Sequence, residues 1–193
     1  MKNFVLLAFI FGSISTASVA LADSKSQVAC ALLNKQEVVA LVGGPLEEVF
    51  KNEQKPTMEN GRDHNSVCGF FPKGYKIATA DLPPVQGILL TIHDMQTAAA
   101  AKNFYEQSLT SDQEMISMTG SPNAGGKITI LSGTGKAAYL LENKIEPGSS
   151  SSGVATIVFL KGNVMGQVQV WKKGGHAGEI TKKAVKNLVA NLH

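Results

Sequence analysis

The sequence predicts an α+β fold, with helices packed against an antiparallel sheet and a helix at the C-terminus. Residues 154–160 and 164–171 are rich in β-branched side chains, and the turn Lys161-Gly162-Asn163 between them suits a tight hairpin. Residues 177–192 instead space their apolar side chains as a helix requires; these are Ile180, Ala184, Leu188 and Leu192. Consecutive strands joined by short turns run antiparallel, which favours the α+β class.

The first third of the chain predicts a helix followed by a strand. Asn34 can cap the helix, and Gly43 ends it, because glycine accepts the left-handed backbone that closes a helix. The polar stretch 51–66 is interpreted as a loop, with a short strand inside it as the alternative. Residues 67–71 are expected to be extended and to bring Cys68 back to the first helix.

The middle of the chain predicts a second helix between strands. Residues 85–93 alternate in the manner of a strand, and the alanine-rich stretch 95–109 is expected to be helical. Residues 110–135 are rich in Gly, Ser and Thr and are interpreted as irregular. Short strands are predicted at 128–131 and 137–141.

Residues 1–22 have the pattern of an export signal. Lys2 precedes an apolar run at 4–11, and Ala20-Leu21-Ala22 is a small-x-small cleavage site. We expect removal of 1–22, which leaves 23–193 as a single domain in the periplasm or outside the cell. A retained membrane anchor is the alternative. The mature sequence has no second apolar stretch of membrane length, so it predicts no transmembrane segment.

Two cysteines, Cys30 and Cys68, are present in the whole chain. An even number in an oxidising compartment predicts one disulfide. The alternative is lipidation of Cys30 as a new N-terminal residue. That alternative is weakened by the polar residues 23–26, which separate Cys30 from the apolar run that a lipidation signal places directly before it.

Composition argues against several classes of function. Loss of Lys2 reduces the 18 basic residues to 17, against 15 acidic ones, and a net charge of +2 is too small to predict nucleic-acid binding. Trp171 is the one tryptophan, which leaves little for a stacking platform. The glycines before Lys127 and Lys136 lack the spacing of a phosphate loop. No cofactor motif is present, and we expect no cofactor.

The histidines raise a metal hypothesis. His64 lies beside a carboxylate in the polar run 62–66, and with His93 or His176 it could bind a metal or act as a general base. No His-x-x-x-His or Glu-x-x-His spacing brings ligands together. The competing interpretation is a solvated loop, because polar residues commonly cluster in turns.

The C-terminal part of the chain carries a basic surface. One interpretation is attraction to an anionic partner, such as a membrane face or an acidic cell-envelope polymer. The competing interpretation is a solvated helix face whose lysines suit the negative end of the helix dipole. The residues are Lys172, Lys173, Lys182, Lys183 and Lys186.

The start of the predicted mature domain carries a recurring arrangement: Cys30-Ala31-Leu32-Leu33, then Glu37-Val38, then Gly43-Gly44-Pro45 and finally Cys68. In this arrangement the chain resembles small exported bacterial proteins and lipoproteins of unknown function. The resemblance implies export, a short capped helix, a second cysteine in a strand, a hairpin and a final helix. It implies no catalytic residues, and this sequence departs from it where a lipidation box would lie.

The leading functional hypothesis is an exported protein that binds a partner and catalyses no reaction, because no motif supplies a nucleophile, a base and an oxyanion donor together. The expected partner is an envelope protein or an anionic envelope polymer. One alternative is a metal-binding protein or metal-dependent enzyme that uses His64 with His93 or His176. Another is an inhibitor of a cell-envelope enzyme that acts through an exposed loop at 110–126.

Overall fold

The computed structural model describes residues 29–54, 62–75, 86–118, 126–142, 152–173 and 176–192. Within these ranges the strands are β1 Leu46–Gln54, β2 Arg62–Pro72, β3 Gly87–Met95, β4 Lys127–Leu131, β5 Ala137–Glu142, β6 Ser152–Lys161 and β7 Val164–Lys173. The helices are α1 Ala29–Leu32, α2 Lys35–Val42, α3 Ala98–Met118 and α4 Ala177–Asn191. The predicted signal, 1–22, lies outside the described residues. Of the described helices, none is long and apolar enough to cross a membrane.

All strands belong to one antiparallel sheet with the order β1-β2-β3-β7-β6-β5-β4. The predicted hairpin is confirmed as β6 and β7, and Gly162 in its turn has the positive φ of 59° that the turn requires. The fold is therefore the predicted α+β arrangement. The order places β7 at the centre of the sheet.

Helices α1, α2 and α4 pack on one face of the sheet, which we call the α4 face. Ile88, Leu90 and Ile92 of β3 point to this face and are fully buried, as the alternating pattern predicts. Val168 and Val170 of β7 are equally buried beside them. The larger core of the protein lies here, between the sheet and three helices.

The start of the domain is fixed to the α4 face by a disulfide and a helix cap. Cys30 of α1 is bonded to Cys68 of β2, across a sequence separation of 38 residues, which confirms the predicted pairing. This bond uses the sulfur to which a lipid on Cys30 would be attached. The side chain of Asn34 accepts a hydrogen bond from the backbone N–H of Gln36 at 2.8 Å, as expected for the cap of α2.

Helix α3 packs on the opposite face, which we call the α3 face. Ala101 and Tyr105 of α3 are buried against Tyr139 and Met165 of the sheet. The hydroxyl of Thr97 accepts a hydrogen bond from the backbone N–H of Ala100 at 3.1 Å and so caps the helix. This second core is smaller, and α3 is the described helix that covers it.

The structure corrects the interpretation of 51–66 as a loop. Residues up to Gln54 continue β1, and β2 begins at Arg62. Lys51 pairs with Cys68 and Glu53 with Ser66. Because β1 lies at the edge of the sheet, it can form from polar residues that show no apolar alternation.

The structure also corrects the predicted end of the second helix. The stretch 110–118, expected to be irregular and part of an inhibitory loop, forms the last turns of α3, and 119–125 lie outside the described residues. The hydroxyls of Ser108, Thr110 and Ser117 each donate to a backbone carbonyl one turn back. The hydroxyls therefore find partners within the helix, which continues through these residues of low helix propensity.

Candidate functional site

Helix α3, from Phe104 to Met115, and the sheet form an open cleft of about 500 Å³. The helix is held to the sheet by its first half, where Ala101 and Tyr105 are buried. Towards its C-terminus the exposed fraction rises to 52% at Met115 and 82% at Met118. The volume falls within the range of about 300–1,000 Å³ that is typical of small-ligand sites.

The lining of the cleft mixes apolar, hydroxyl and amide groups. The α3 wall and the floor formed by β5, β6 and β7 both contribute. None of the described lining residues carries a positive charge, and a single carboxylate is present. The residues are Phe104, Gln107, Ser108, Ser111, Asp112, Met115, Tyr139, Leu141, Thr156, Val158, Met165, Gln167 and Gln169.

The carboxylate of Asp112 is held by the floor of the cleft. The hydroxyl of Tyr139 donates a hydrogen bond to Oδ2 of Asp112 at 2.7 Å. Burial of the ring, together with the hydrogen bond and charge of Asp112, raises the pKa of Tyr139. The protonated form of Tyr139 is therefore favoured, and its hydroxyl donates to the carboxylate and positions it.

The floor carries two glutamines on the central strand. Gln167 and Gln169 alternate along β7 with Val168, which points to the α4 face and is fully buried. Thr156 lies opposite Gln169 and Val158 opposite Gln167 on β6. Within the described part of the chain, neither glutamine side chain forms a hydrogen bond. Their amides are available to a ligand.

The predicted metal-binding histidines lie at separate places. His64 on β2 pairs with Asp94 on β3, whereas His93 pairs with Asn65. The two histidine side chains therefore point to opposite faces of the sheet. His93 packs edge-on against Phe104 of α3, with ring centroids 5.2 Å apart. His176 is exposed at the start of α4. The structure does not bring the three together.

One group of potential metal-ligating side chains is found among the described residues, and it contains no histidine. Cys30, Glu48 and Cys68 place ligand atoms within 4.8 Å of one another. Both sulfurs are bonded to each other in the disulfide. The histidine metal hypothesis stays a prediction, which elemental analysis of the purified protein would test.

The five predicted surface lysines lie in two places, at the end of β7 and on α4. Lys172 is half-buried at the end of β7, and its ammonium group donates to the backbone carbonyl of Val42, at the C-terminus of α2. Lys173 ends the same strand and is exposed. Lys182, Lys183 and Lys186 are exposed on α4, on the side of the sheet away from the cleft. Their attraction to an anionic polymer stays a prediction.

The cleft residues could not be identified from the amino-acid sequence. One signal is present in the sequence: glutamines occupy alternate positions between apolar residues in the central strand. Polar side chains are uncommon in such a strand, so they indicate a candidate site. The crossing of α3 over the sheet, which makes the other wall, is a tertiary feature with no local pattern. The Asp112–Tyr139 pair spans 27 residues and has no recognisable spacing.

Neither a protein-family model nor a curated protein sequence matches this chain. Among solved structures, the extracellular domain of PknH from Mycobacterium tuberculosis is similar to it, with a TM-score of 0.49 and 14% sequence identity. The similarity covers 84% of this chain and 95% of that one.

Proposed function

We propose that this protein is an exported binding protein, and that its ligand occupies the cleft between α3 and the sheet. The observation that carries the proposal is the cleft itself, with about 500 Å³ of open volume between an anchored helix and a polar floor. Hydrogen-bonding groups next to apolar side chains are the combination by which proteins orient small ligands. The lining supplies contacts for binding.

The disulfide supports the exported location. Bonds such as Cys30–Cys68 persist in the periplasm or outside the cell and are rare in the cytosol. The predicted signal at 1–22 and the resemblance to small exported bacterial proteins point the same way. We propose the cell envelope as the place where the ligand is met.

The binding site can be located by chemical-shift mapping. Fragments from a library of neutral, cationic and anionic compounds are added to the ¹⁵N-labelled protein at millimolar concentration. We expect shifts at Gln167, Gln169 and neighbouring cleft residues. The Ser111→Trp variant, which places an indole in the cleft, should lose these shifts.

Gln113→Trp is the matched control, because Gln113 is exposed on the same helix and does not line the cleft. It should bind fragments as the natural protein does. Shifts confined to α4, or cleft shifts that survive Ser111→Trp, would contradict the proposal. Shifts on α4 would instead favour the basic surface as the binding site.

A further inference from the structure

The chemistry of the cleft points to a ligand class. We propose that the cleft binds an extended peptide segment, with a basic side chain at Asp112 and the main chain across Gln167 and Gln169. This inference rests on the proposed function and adds the identity of the ligand class. Three features of the lining carry it: its charge, the spacing of its amides and its apolar wall.

The charge of the cleft favours a cation. Asp112 is half-buried, and its contact among the described residues is the neutral hydroxyl of Tyr139. The described lining residues offer it no positively charged partner. A carboxylate that is partly removed from water and lacks a counter-charge attracts an ammonium or guanidinium group. A phosphate or carboxylate ligand would be repelled.

The two glutamines match the repeat of an extended chain. Side chains two residues apart on a strand are separated by about 6.8 Å. An extended peptide presents an N–H and a C=O on the same edge with that same repeat, every second residue. Each glutamine amide has a donor and an acceptor and can pair with one such unit. Gln167 and Gln169 can therefore hold two alternate residues of a peptide main chain.

The apolar part of the lining suits side chains better than sugar rings. Phe104 and Met115 on the helix face Leu141 and Val158 on the floor. Of the two aromatic lining residues, Tyr139 is 0% exposed, and Phe104 is half-buried with its ring against that of His93. A neutral glycan would find hydroxyl partners but only one partly covered ring, whereas aliphatic peptide side chains would find an apolar wall.

Trp171 provides a reporter for the same floor. It lies on β7 two residues beyond Gln169 and packs against Phe71, with ring centroids 5.5 Å apart. Because the chain has one tryptophan, its emission reports this face alone. Binding can be followed by this fluorescence and independently by calorimetry.

The probe is the acetylated, amidated tetrapeptide Leu-Lys-Leu-Leu, compared with peptides that carry norleucine or Glu in place of Lys. We expect the Lys peptide to bind and the Glu peptide to be rejected. Asp112→Asn keeps the shape of the side chain and should weaken the Lys peptide about tenfold, since a charge-assisted contact is lost. Glu114→Gln, on the exposed side of the same helix, should leave the affinity unchanged.

A second ligand tests recognition of the main chain. A Leu-Lys-Leu-Leu peptide with alternate amides N-methylated keeps every side chain but loses half of its main-chain donors, and it should bind at least tenfold more weakly. The double variant Gln167→Leu/Gln169→Leu should no longer distinguish the two peptides. Equal binding of both peptides to the natural protein would overturn main-chain recognition.

Other outcomes separate this inference from the proposed function. Unchanged peptide affinity in Asp112→Asn would overturn the inference. Binding of spermidine or a neutral oligosaccharide in the cleft, without binding of the peptides, would also overturn it and leave the proposed function standing. If no fragment, peptide, amine or sugar shifts the cleft residues, both proposals are wrong.

Discussion

Tyr139 has an exposed fraction of 0%, yet its hydroxyl reaches Asp112 at the lining of the cleft. The ring packs against Tyr105 with centroids 5.5 Å apart, so one residue contributes to the core and positions a cleft carboxylate. Burial also raises the pKa of Tyr105. The smaller core thus holds two phenols whose protonated form is favoured by burial.

Tyr139→Phe tests this double role. Loss of the hydrogen bond should lower the free energy of unfolding at about pH 7 by about 1 kcal/mol. In the natural protein, the unfolded state loses the Tyr139 proton above the ordinary tyrosine pKa of 10.0, whereas the folded state, with its raised pKa, keeps it. The free energy of unfolding therefore falls as the pH rises through that range. The variant has no such proton, so the difference in unfolding free energy between the two proteins should narrow above that pH.

Urea denaturation at about pH 7 and about pH 11 provides the measurement. Tyr75→Phe is the control, because Tyr75 is half-buried beside Phe71 and lies away from Asp112. If the difference in unfolding free energy between Tyr139→Phe and the natural protein widened with pH, the direction of the pKa shift would be wrong.

At the scale of elements, two lysines donate hydrogen bonds to backbone carbonyls at the C-terminal ends of helices. The ammonium group of Lys161, at the end of β6, donates to the backbone carbonyl of Val189 at 2.8 Å and also to that of Leu192. Lys172 makes the corresponding contact at the end of α2. Both place a cation at the negative end of a helix dipole, where unpaired carbonyls collect. Strands β6 and β7 therefore help to fix the helices that cover them.

Lys161→Met keeps the aliphatic stem and removes the donor. We expect the free energy of unfolding to fall by about 1–2 kcal/mol, because the carbonyls at the end of α4 lose their partner. Lys183→Met, an exposed lysine on α4, is the matched control and should change stability by less than about 0.5 kcal/mol. Equal losses in both variants, measured by urea denaturation, would contradict this role for Lys161.

Elements with a regular apolar pattern could be predicted from the sequence, and those determined by tertiary contacts could not. The hairpin of β6 and β7 and the final helix follow from their own periodicity. Strand β1 does not, because its polar residues are strand-forming only when paired with β2. The end of α3 could not be predicted because its serines and threonines have low helix propensity, which tertiary context overrides. The disulfide, away from the cleft, could be predicted from composition, whereas the Asp112–Tyr139 contact in the cleft depends on how α3 crosses the sheet.

At the scale of the whole molecule, the disulfide joins the start of the domain to the sheet near one edge. Cys68 is fully buried in β2, and the backbone N–H of Ala29 donates to the hydroxyl of Ser66 on the same strand at 2.9 Å. The bond and the hydrogen bond together hold α1 in the larger core. The position of α1 on the α4 face therefore depends on two contacts with β2.

The double variant Cys30→Ala/Cys68→Ala should lose about 4 kcal/mol of unfolding free energy, as expected from chain entropy for a loop of 38 residues. Denaturation with and without a reducing agent provides the measurement. The reductant should lower the stability of the natural protein and leave the double variant unchanged. A loss below about 1 kcal/mol would mean that the bond contributes little to the fold.

The positions of the two ends of the described fold have a practical consequence. Helix α1 at one end and helix α4 at the other both pack on the α4 face, so a tether at either end leaves from the side away from the cleft. A molecule immobilised through its C-terminus would direct the cleft towards the surrounding solution. Surface-based binding assays can use that orientation without shielding Asp112 or the glutamines.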